Sequence, residues 1–495
     1  MSGIVNLSRR TFLKVGAAAG GGLVLGFYAP VLSSLSGLMA AENASFDPNA
    51  FIRIGTDNSV TIVVNKSEMG QGVYTSLPML VAEELECDWT SVRVEPAPVA
   101  AIYNNPEVGI QMTGGSMSVR TEWERMRQVG AAAREMLVSA AAGEWKVDRA
   151  TCRGENGRVI HESGQALTYG QLAEKAATMP VPQQVKLKDP SEFKIIGKPT
   201  PRLDTPPKVD GKAIFGSDIS TPGMLIALVP RPPVFGGKAK HFNSAKAKGV
   251  PGVQAVVPIE SGVAVVADSF WSAKRARDGL EIVWDEGQSE HLSTDGLRER
   301  YAQLVKSPGL TARQEGDPAK ALTNTVSHVT AEYEVPYLAH ACMEPLNCTV
   351  DLRRDSCEVW TGTQFQTLDR AAVAKIVGLK PEQVTIHTTY LGGGFGRRAN
   401  PHSDFVVEAA QIAKAVSKPV QVIWTREDDM KGGYYRPFWY DRLSAGLDGT
   451  GRIVAWHHTI VGQSIMRGTP VEPVMIKDGI DASSVEGAGQ QEHNS

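Results

Sequence analysis

The sequence predicts an α+β fold, in which short strands and amphipathic helices each pack an apolar side into a core. Residues 60–64 are all β-branched and follow a strand-like alternation that begins near Phe51. Two later stretches carry apolar residues at helical spacing, which predicts two helices that each bury one face. These residues are Leu77, Leu80, Val81 and Leu85 in the first stretch, and Met126, Val129, Ala133, Met136, Leu137 and Ala140 in the second.

Further along the chain, short β-like runs at residues 253–257 and 263–266 alternate with one helix, which follows them at 271–278. Helices at 368–377 and 403–416 and a strand at 420–424 follow. Runs of proline or polar residues separate these parts. We therefore expect seven segments: 1–41 for targeting, 42–179 as a first folded unit, 180–207 as a Pro-rich linker, 208–286 as a small α/β unit, 287–320 as a linker, 321–488 as a last unit, and 489–495 as a polar tail.

The N-terminus has the pattern of a twin-arginine signal. Arg9 and Arg10 precede a glycine-rich stretch, residues 15–41, that carries no charge. Such signals export folded proteins that already hold their cofactors, so we expect a periplasmic protein. No Ala-x-Ala triplet ends the stretch, and both cleavage after Ala40 or Ala41 and retention as a membrane anchor remain open.

Charge and cysteine usage narrow the class of protein. The net charge is −3 and no long basic stretch occurs, so nucleic acid is not an expected partner. The five cysteines include no C-x-x-C pair, which argues against a zinc ribbon or an iron–sulfur cluster in this chain. A disulfide between Cys348 and Cys357 stays open, and a metal site of His340, Cys342 and Cys348 is the weaker alternative to buried structural cysteines.

The run from Leu391 to Arg398 packs four glycines and one phenylalanine in front of two arginines. Glycine allows backbone N–H groups to approach an anion closely, and arginine suits phosphate or another oxoanion. Phe395 is suited to wall a planar ligand or a metal centre. A plain glycine-rich turn is the alternative, since the run fits neither the P-loop nor the dinucleotide-binding pattern.

Three more segments accompany this run. Gly70-Gln71-Gly72 follows the strand at 60–64, and its amide is suited to bond a ring edge. The segment from Thr113 to Ser118 opens the second helix with glycines and hydroxyls, either as an anion site or as an ordinary serine cap. Met343-Glu344-Pro345 is followed by the pair Thr363-Gln364.

Together these four motifs resemble the molybdenum-binding subunit of the xanthine oxidase family. The likeness is greatest to its periplasmic branch of isoquinoline 1-oxidoreductase beta subunits and related aldehyde dehydrogenases. It covers residues 51–488, and the motifs occur in the order used by that branch. The resemblance implies molybdopterin-binding domains at 42–179 and 321–488, with a small hammerhead α/β domain at 208–286.

The resemblance also implies roles for individual residues around molybdopterin cytosine dinucleotide. Phe395 and Gly396 would lie against molybdenum, and Gln364 would bond one of its oxo groups, with no direct protein ligand to the metal. The other implied cofactor contacts are Gly70, Gln71 and Gly72 to the pterin, Thr113, Gly115, Ser116 and Ser118 to the pyrophosphate or nucleotide, and Gly393, Gly394 and Arg397 within the glycine run. Arg398-Ala399 replaces a Lys-Glu pair of other branches, which argues against xanthine as substrate.

By the same resemblance, the subunit would oxidise an aldehyde or an N-heteroaromatic with oxygen from water. Electrons would pass to a separate small [2Fe–2S] subunit, and a cytochrome c is a candidate for the next carrier. A weaker alternative is a phosphate- or nucleotide-binding module without molybdenum.

In this family a glutamate in a C-terminal Gly-Glu-x-Gly segment acts as general base. The one such string here, residues 154–157, reads as a hairpin turn, so the catalytic residue stays unknown. Glu68 and Glu344 lie near the motifs, but structural roles are expected for both. The polar tail after Ala488 suggests truncation, and an inactive cofactor-binding fragment is therefore the competing expectation.

Overall fold

The computed structural model describes residues 22–25, 51–469 and 471–485. Its strands are β1 Gly22–Leu25, β2 Ile52–Gly55, β3 Val60–Val64, β4 Val92–Pro96, β5 Cys152–Glu155, β6 Arg158–His161, β7 Ala166–Thr168, β8 Leu225–Leu228, β9 Lys238–Asn243, β10 Val253–Ile259, β11 Gly262–Ala267, β12 Glu281–Asp285, β13 Ser327–Val335, β14 Asn347–Leu352, β15 Cys357–Thr361, β16 Val384–Thr388, β17 Val420–Ile423, β18 Trp439–Leu447, β19 Ile453–Gly462, β20 Ile476–Lys477 and β21 Ile480–Asp481. Its α-helices are α1 Val73–Leu85, α2 Ser118–Trp145, α3 Tyr169–Ala176, α4 Thr205–Val209, α5 Ala245–Lys248, α6 Phe270–Asp278, α7 Thr294–Leu304, α8 Pro318–Thr323, α9 Gln366–Val377, α10 Asp404–Val416, α11 Arg426–Lys431 and α12 Glu472–Met475.

The described residues form two compact units. The first unit combines residues within 1–221 with residues 347–399, and the second combines 222–346 with the described residues from 400 onward. The expected last unit from residue 321 is thus divided between them, because β14, β15 and β16 belong with the first. Each unit mixes helices with several small sheets, as the sequence predicted.

The first unit is built around the helix pair α1 and α2. All ten apolar residues predicted on the two stripes are buried, and they belong to one core with β2, β3 and β4. In that sheet β1, β2 and β3 are antiparallel and β4 pairs with β3 in parallel. A second sheet pairs β15 antiparallel with β14 and parallel with β16.

A tight turn connects β5 to β6 in the first unit. Asn156 and Gly157 have φ angles of 48° and 74°, in the left-handed region that such turns need. Glu155 lies at the end of β5 in this hairpin and pairs with Arg158. The prediction that residues 154–157 form a hairpin turn is confirmed.

The second unit holds a sheet in the order β10, β11, β8, β17, with α6 packed against β8 and β11. In a separate antiparallel sheet of β13, β18 and β19, most residues of the two edge strands are exposed and those of the central strand β18 are mainly half-buried. The sheet's apolar residues Val329, Tyr333 and Trp456 are each half exposed or more.

Two segments expected to be linkers are structured instead. Residues 287–320 contain α7 and the start of α8, and Tyr301 of α7 is buried against Phe438 with ring centroids 5.3 Å apart. Residues 180–207 are held against α1 by hydrogen bonds, because buried carboxylates of that helix accept hydrogen bonds from backbone N–H groups of the segment. Proline has no backbone N–H, so a proline-rich sequence indicates that a segment has few backbone donors. It does not indicate which acceptors the remaining N–H groups bond.

The cysteines form no disulfide among the described residues. The register of β14 and β15 places Cys357 opposite Leu352, four positions along the strand from Cys348. That separation is about 13 Å, far beyond disulfide reach. Burial raises the pKa of the Cys348 thiol well above its usual value, as expected for a structural cysteine.

The targeting segment and the polar tail lie outside the described residues, apart from β1. Strand β1 falls inside the segment assigned to targeting and pairs with β2. Within the part of the chain that the structure covers, no helix is both long and apolar enough to cross a membrane.

Candidate cofactor-binding site

Four loops of the first unit are joined by hydrogen bonds. They are residues 65–72 between β3 and α1, 113–117 before α2, 362–365 between β15 and α9, and 389–399 after β16. Three of them lead directly into a helix, and the N-terminus of a helix is a position that suits an anionic ligand. The glycine run, the Gly-Gln-Gly loop, the hydroxyl-rich helix start and the Thr-Gln pair therefore belong to one site.

Ser67 ties three of these loops together and is fully buried. Its N–H donates to Thr113 Oγ1 at 2.8 Å, and its hydroxyl donates to the Thr363 carbonyl at 2.7 Å. Gln366 Nε2 donates to Ser67 Oγ at 2.8 Å. Sequence reasoning missed Ser67 and Gln366, whose signal is only their position at a strand end and at a helix start.

Gln364 is pinned in the centre of the site. Its Nε2 donates to the Thr113 carbonyl at 2.8 Å, and its backbone N–H donates to the Arg398 carbonyl at 3.1 Å. Its Oε1 is buried and has no hydrogen-bond partner within the protein. An unsatisfied buried acceptor is costly, so this atom favours a ligand that donates a hydrogen bond.

The glycine run passes directly beside that acceptor. A Cβ on Gly394 would lie 2.8 Å from Gln364 Oε1 and 2.6 Å from Met69 Sδ. The next glycine, Gly396, has a φ of 94°, and a Cβ there would meet nothing within 4 Å. Between them Phe395 has a φ of 52° and is 73% exposed, although it is a large apolar residue. This arrangement leaves open space beside the run, with an aromatic ring next to it.

The two arginines after the run are buried. Arg398 donates from Nε to the Gly393 carbonyl at 2.9 Å and from a terminal nitrogen to the Gly362 carbonyl at 3.1 Å. The expectation that both arginines face an anion is therefore wrong for Arg398. Its buried guanidinium connects two glycine-containing loops through hydrogen bonds to their carbonyl groups. The glycine content of the run does not predict this role.

The Gly-Gln-Gly loop is held by its own side chains. Glu68 is buried, and its carboxylate accepts N–H bonds from Gly70, Gly72 and Tyr74 at 2.8–3.2 Å. Gln71 accepts from the Met69 N–H at 2.8 Å, and its Nε2 donates to the Ser67 carbonyl. The amide of Gln71 thus stabilises its own loop, contrary to the expectation that it bonds the ring edge of a ligand. The structural role expected for Glu68 is confirmed.

The start of α2 has no side-chain cap. The N-cap position is Met117, which corrects the alternative of an ordinary serine cap. Gly115 and Ser116 have φ angles of 59° and 52°, and Ser116 is exposed. No acidic residue lies in the first turn, so the N–H groups of Ser118 and its neighbours keep their positive potential. This end of the helix suits an anionic ligand.

A buried ion pair connects the first of these loops to α2. Lys66 Nζ lies 3.5 Å from Glu122 of α2, and the side chains of both are almost fully buried. Asn65 Nδ2 donates to the same carboxylate at 2.9 Å. Burial lowers the pKa of Lys66, and Glu122 opposes that effect. Sequence reasoning did not find this pair, since its members lie in two separate elements.

The Met343-Glu344-Pro345 segment lies in the second unit, where Met343 is exposed. His340 and Cys342 also lie there, whereas Cys348 belongs to the first unit. Among the described residues, no group of three metal-ligating side chains occurs. The metal site considered for these residues therefore has no support.

Two family models, both described as a molybdopterin cofactor-binding domain, match residues 10–213 and 303–477. The isoquinoline 1-oxidoreductase subunit beta of Brevundimonas diminuta is 33% identical over 93% of this chain and 64% of its own length. The membrane-bound aldehyde dehydrogenase (pyrroloquinoline-quinone) of Gluconacetobacter polyoxogenes is 29% identical over 96% of this chain and 64% of its length. Quinoline 2-oxidoreductase from Pseudomonas putida 86 has a TM-score of 0.43 at 17% identity, covering 52% of this chain and 38% of that one, which is too partial to define the fold.

The domain models and the relatives show that the chain belongs to the xanthine oxidase family, as one of its molybdenum-binding subunits. The resemblance carried by the motifs is thereby confirmed, together with the molybdopterin-binding α+β fold. The chain spans 64% of the length of the two relatives.

Proposed function

We propose that the four joined loops bind molybdopterin in its cytosine dinucleotide form. The unpaired Gln364 Oε1 carries this proposal, because it is buried directly beside Gly394 of the glycine run. The amino and ring N–H groups of a pterin are donors that would satisfy this acceptor, whereas the oxo group that the resemblance implied for Gln364 is itself an acceptor and would not. The Gln364 carboxamide is oriented by the Thr113 carbonyl, so the acceptor is aimed before the ligand arrives.

The remaining residues have distinct roles in this proposal. The uncapped start of α2, with Ser116 and Ser118, would receive the anionic pyrophosphate or nucleotide end. Phe395 would shield the metal end from water, and the Gly396 N–H would approach it without a side chain in the way. Arg398 and Ser67 hold the loops in register from the buried side.

When bound, the molybdenum cofactor supplies the redox centre for hydroxylation of a carbon with oxygen from water. We infer that the whole protein oxidises an aldehyde or an N-heteroaromatic, the two substrate classes for which the relatives are named. Electrons would leave through a separate small [2Fe–2S] subunit, with a cytochrome c as the next carrier. The general base stays unassigned, because the carboxylate of Glu68 is already taken up by the N–H groups of its own loop.

A valine at Gly396 should strongly reduce cofactor retention while costing no more stability than the same change at a control glycine. The new side chain would project into open space that the proposal assigns to the cofactor. Gly164 is a matched control, since it has a φ of 89° and also has nothing within 4 Å of its Cβ. Both variants carry the same backbone strain, of about 1–2 kcal/mol.

Molybdenum and pterin are measured in the chain expressed with its small subunit. Gly396→Val should retain less than about a tenth of the wild-type content, equivalent to roughly 1.4 kcal/mol. Gly164→Val should match the wild type. A wild-type complex without molybdenum or pterin contradicts the binding proposal, and a loaded complex that turns over neither isoquinoline nor an aldehyde with an artificial acceptor contradicts the activity.

We also propose export to the periplasm by the twin-arginine route, which rests on Arg9, Arg10 and the uncharged stretch after them. Replacing both arginines with lysine keeps the charge but removes the pair. The variant should accumulate in the cytoplasm, as measured by fractionation. Recovery from the periplasm equal to that of the wild type would sink this proposal.

A further inference from the structure

Residues 188–208, which cover most of the segment expected to be a linker, run along α1 of the first unit. We call them the strap. At one end, Glu83 of α1 accepts the N–H groups of Lys194, Ile195 and Ile196 at 2.7–3.1 Å. The carboxylate is fully buried, and the strap supplies the hydrogen bonds that a charge needs away from water.

At its other end, the strap reaches the Gly-Gln-Gly loop. The guanidinium of Arg202 donates to the Gly70 carbonyl at 3.1 Å, to Glu68 at 3.1 Å, and to both oxygens of Asp204 at 2.7–3.0 Å. Lys208 adds a weaker contact to Glu68 at 3.3 Å. Burial acts to raise the pKa of Asp204, but the hydrogen bonds from Arg202 and Lys208 outweigh it and lower that pKa to about 2. Asp204 is therefore ionised at neutral pH.

Glu68 is the link between the strap and the site. One of its oxygens accepts both from Arg202 and from the N–H groups of Gly70 and Gly72, and the other accepts from the Tyr74 N–H. A planar fork with several fixed donors holds a carboxylate and a carbonyl at once in one geometry, which the flexible ammonium of a lysine does less rigidly. The position of the loop thus depends on a residue more than 130 positions away in the sequence.

We propose that Arg202 is a positioning residue of the cofactor site. It does not touch the cofactor; it fixes the Glu68 carboxylate and the Gly70 carbonyl, so that the loop has one conformation before the ligand binds. The link to the cofactor rests on the function proposed above. The effect on the loop concerns the protein alone and can be measured without cofactor.

The test is amide hydrogen exchange on the cofactor-free full chain. In Arg202→Ala, the amides of Gly70, Gly72 and Tyr74 should exchange about tenfold faster or more, because local opening becomes easier. Lys194→Ala is the matched control: its side chain pairs with Glu86 on the surface, while its backbone bond to Glu83 stays. This control should leave the three amides unchanged.

Chemical rescue separates positioning from a general loss of structure. Low-millimolar guanidinium should slow exchange again in Arg202→Ala and restore molybdenum and pterin retention, whereas urea at the same concentration should do neither. Arg202→Lys, which keeps the charge without the fork, should exchange at an intermediate rate. Unchanged exchange in Arg202→Ala, or equal rescue by urea, overturns the proposal. A wild-type complex without molybdenum overturns the proposed function instead, and the exchange rates still decide the role of Arg202 in the loop.

Discussion

Replacing Gly130 with alanine should destabilise the first unit by about 2 kcal/mol, although alanine is the better helix former. In the interior of α2 the exchange gains about 0.8–1 kcal/mol of helix propensity. A Cβ on Gly130, however, would lie 2.3 Å from the Val81 carbonyl oxygen of α1. That atom is backbone and cannot rotate away, so the two helices must separate. Overpacking of this kind costs about 1–3 kcal/mol, and here the upper end applies.

Gly143 of the same helix provides the control for this prediction. It is exposed, and its nearest neighbours are Lys175 side-chain atoms at 4.0 Å. Gly143→Ala should therefore raise the free energy of unfolding by about 0.8–1 kcal/mol. Urea titration of the two variants, followed by circular dichroism, measures both changes. A stabilised Gly130→Ala variant would show that α1 and α2 are not in close contact at this point.

The helix pair also illustrates what the sequence alone could predict. The apolar stripes of α1 and α2 have the period of a helix, and all their members are buried. The hairpin at Asn156 and Gly157 carries a turn signal that acts within two residues. Such features are local, so a pattern in the chain is enough to identify them.

The site depends on contacts between distant parts of the chain. Ser67 donates to the Thr363 carbonyl across 296 residues, and Arg202 reaches Glu68 across 134. Single-sequence patterns identify the loops that meet, but not which polar atom each side chain satisfies. The amide of Gln71 was expected to face a ligand and is used within its own loop. The sequence did not predict the strap for the same reason. Its acceptors Glu83 and Glu84 have the pattern of ordinary charged residues near a helix end.

Gly394→Ala should have the largest effect on the cofactor site. The new Cβ would lie 2.8 Å from Gln364 Oε1 and 2.6 Å from Met69 Sδ. Gln364 is buried and held by the Thr113 carbonyl, so it can move only by breaking that 2.8 Å bond. We expect a stability loss of about 1–3 kcal/mol. Displacement of the carboxamide should weaken molybdopterin retention about tenfold or more, which corresponds to 1.4 kcal/mol.

Two comparisons make this prediction specific. Gly449 has nothing within 4 Å of its Cβ and an ordinary φ, so Gly449→Ala should change neither stability nor molybdenum content. Met69→Ala removes one of the two crowded atoms, and the double variant Met69→Ala/Gly394→Ala should recover part of the lost stability, as a coupling energy between neighbours. Cofactor retention should stay low in the double variant, because the crowding of Gln364 remains. Full retention of molybdenum and pterin in Gly394→Ala would mean that the Gln364 carboxamide does not take part in binding.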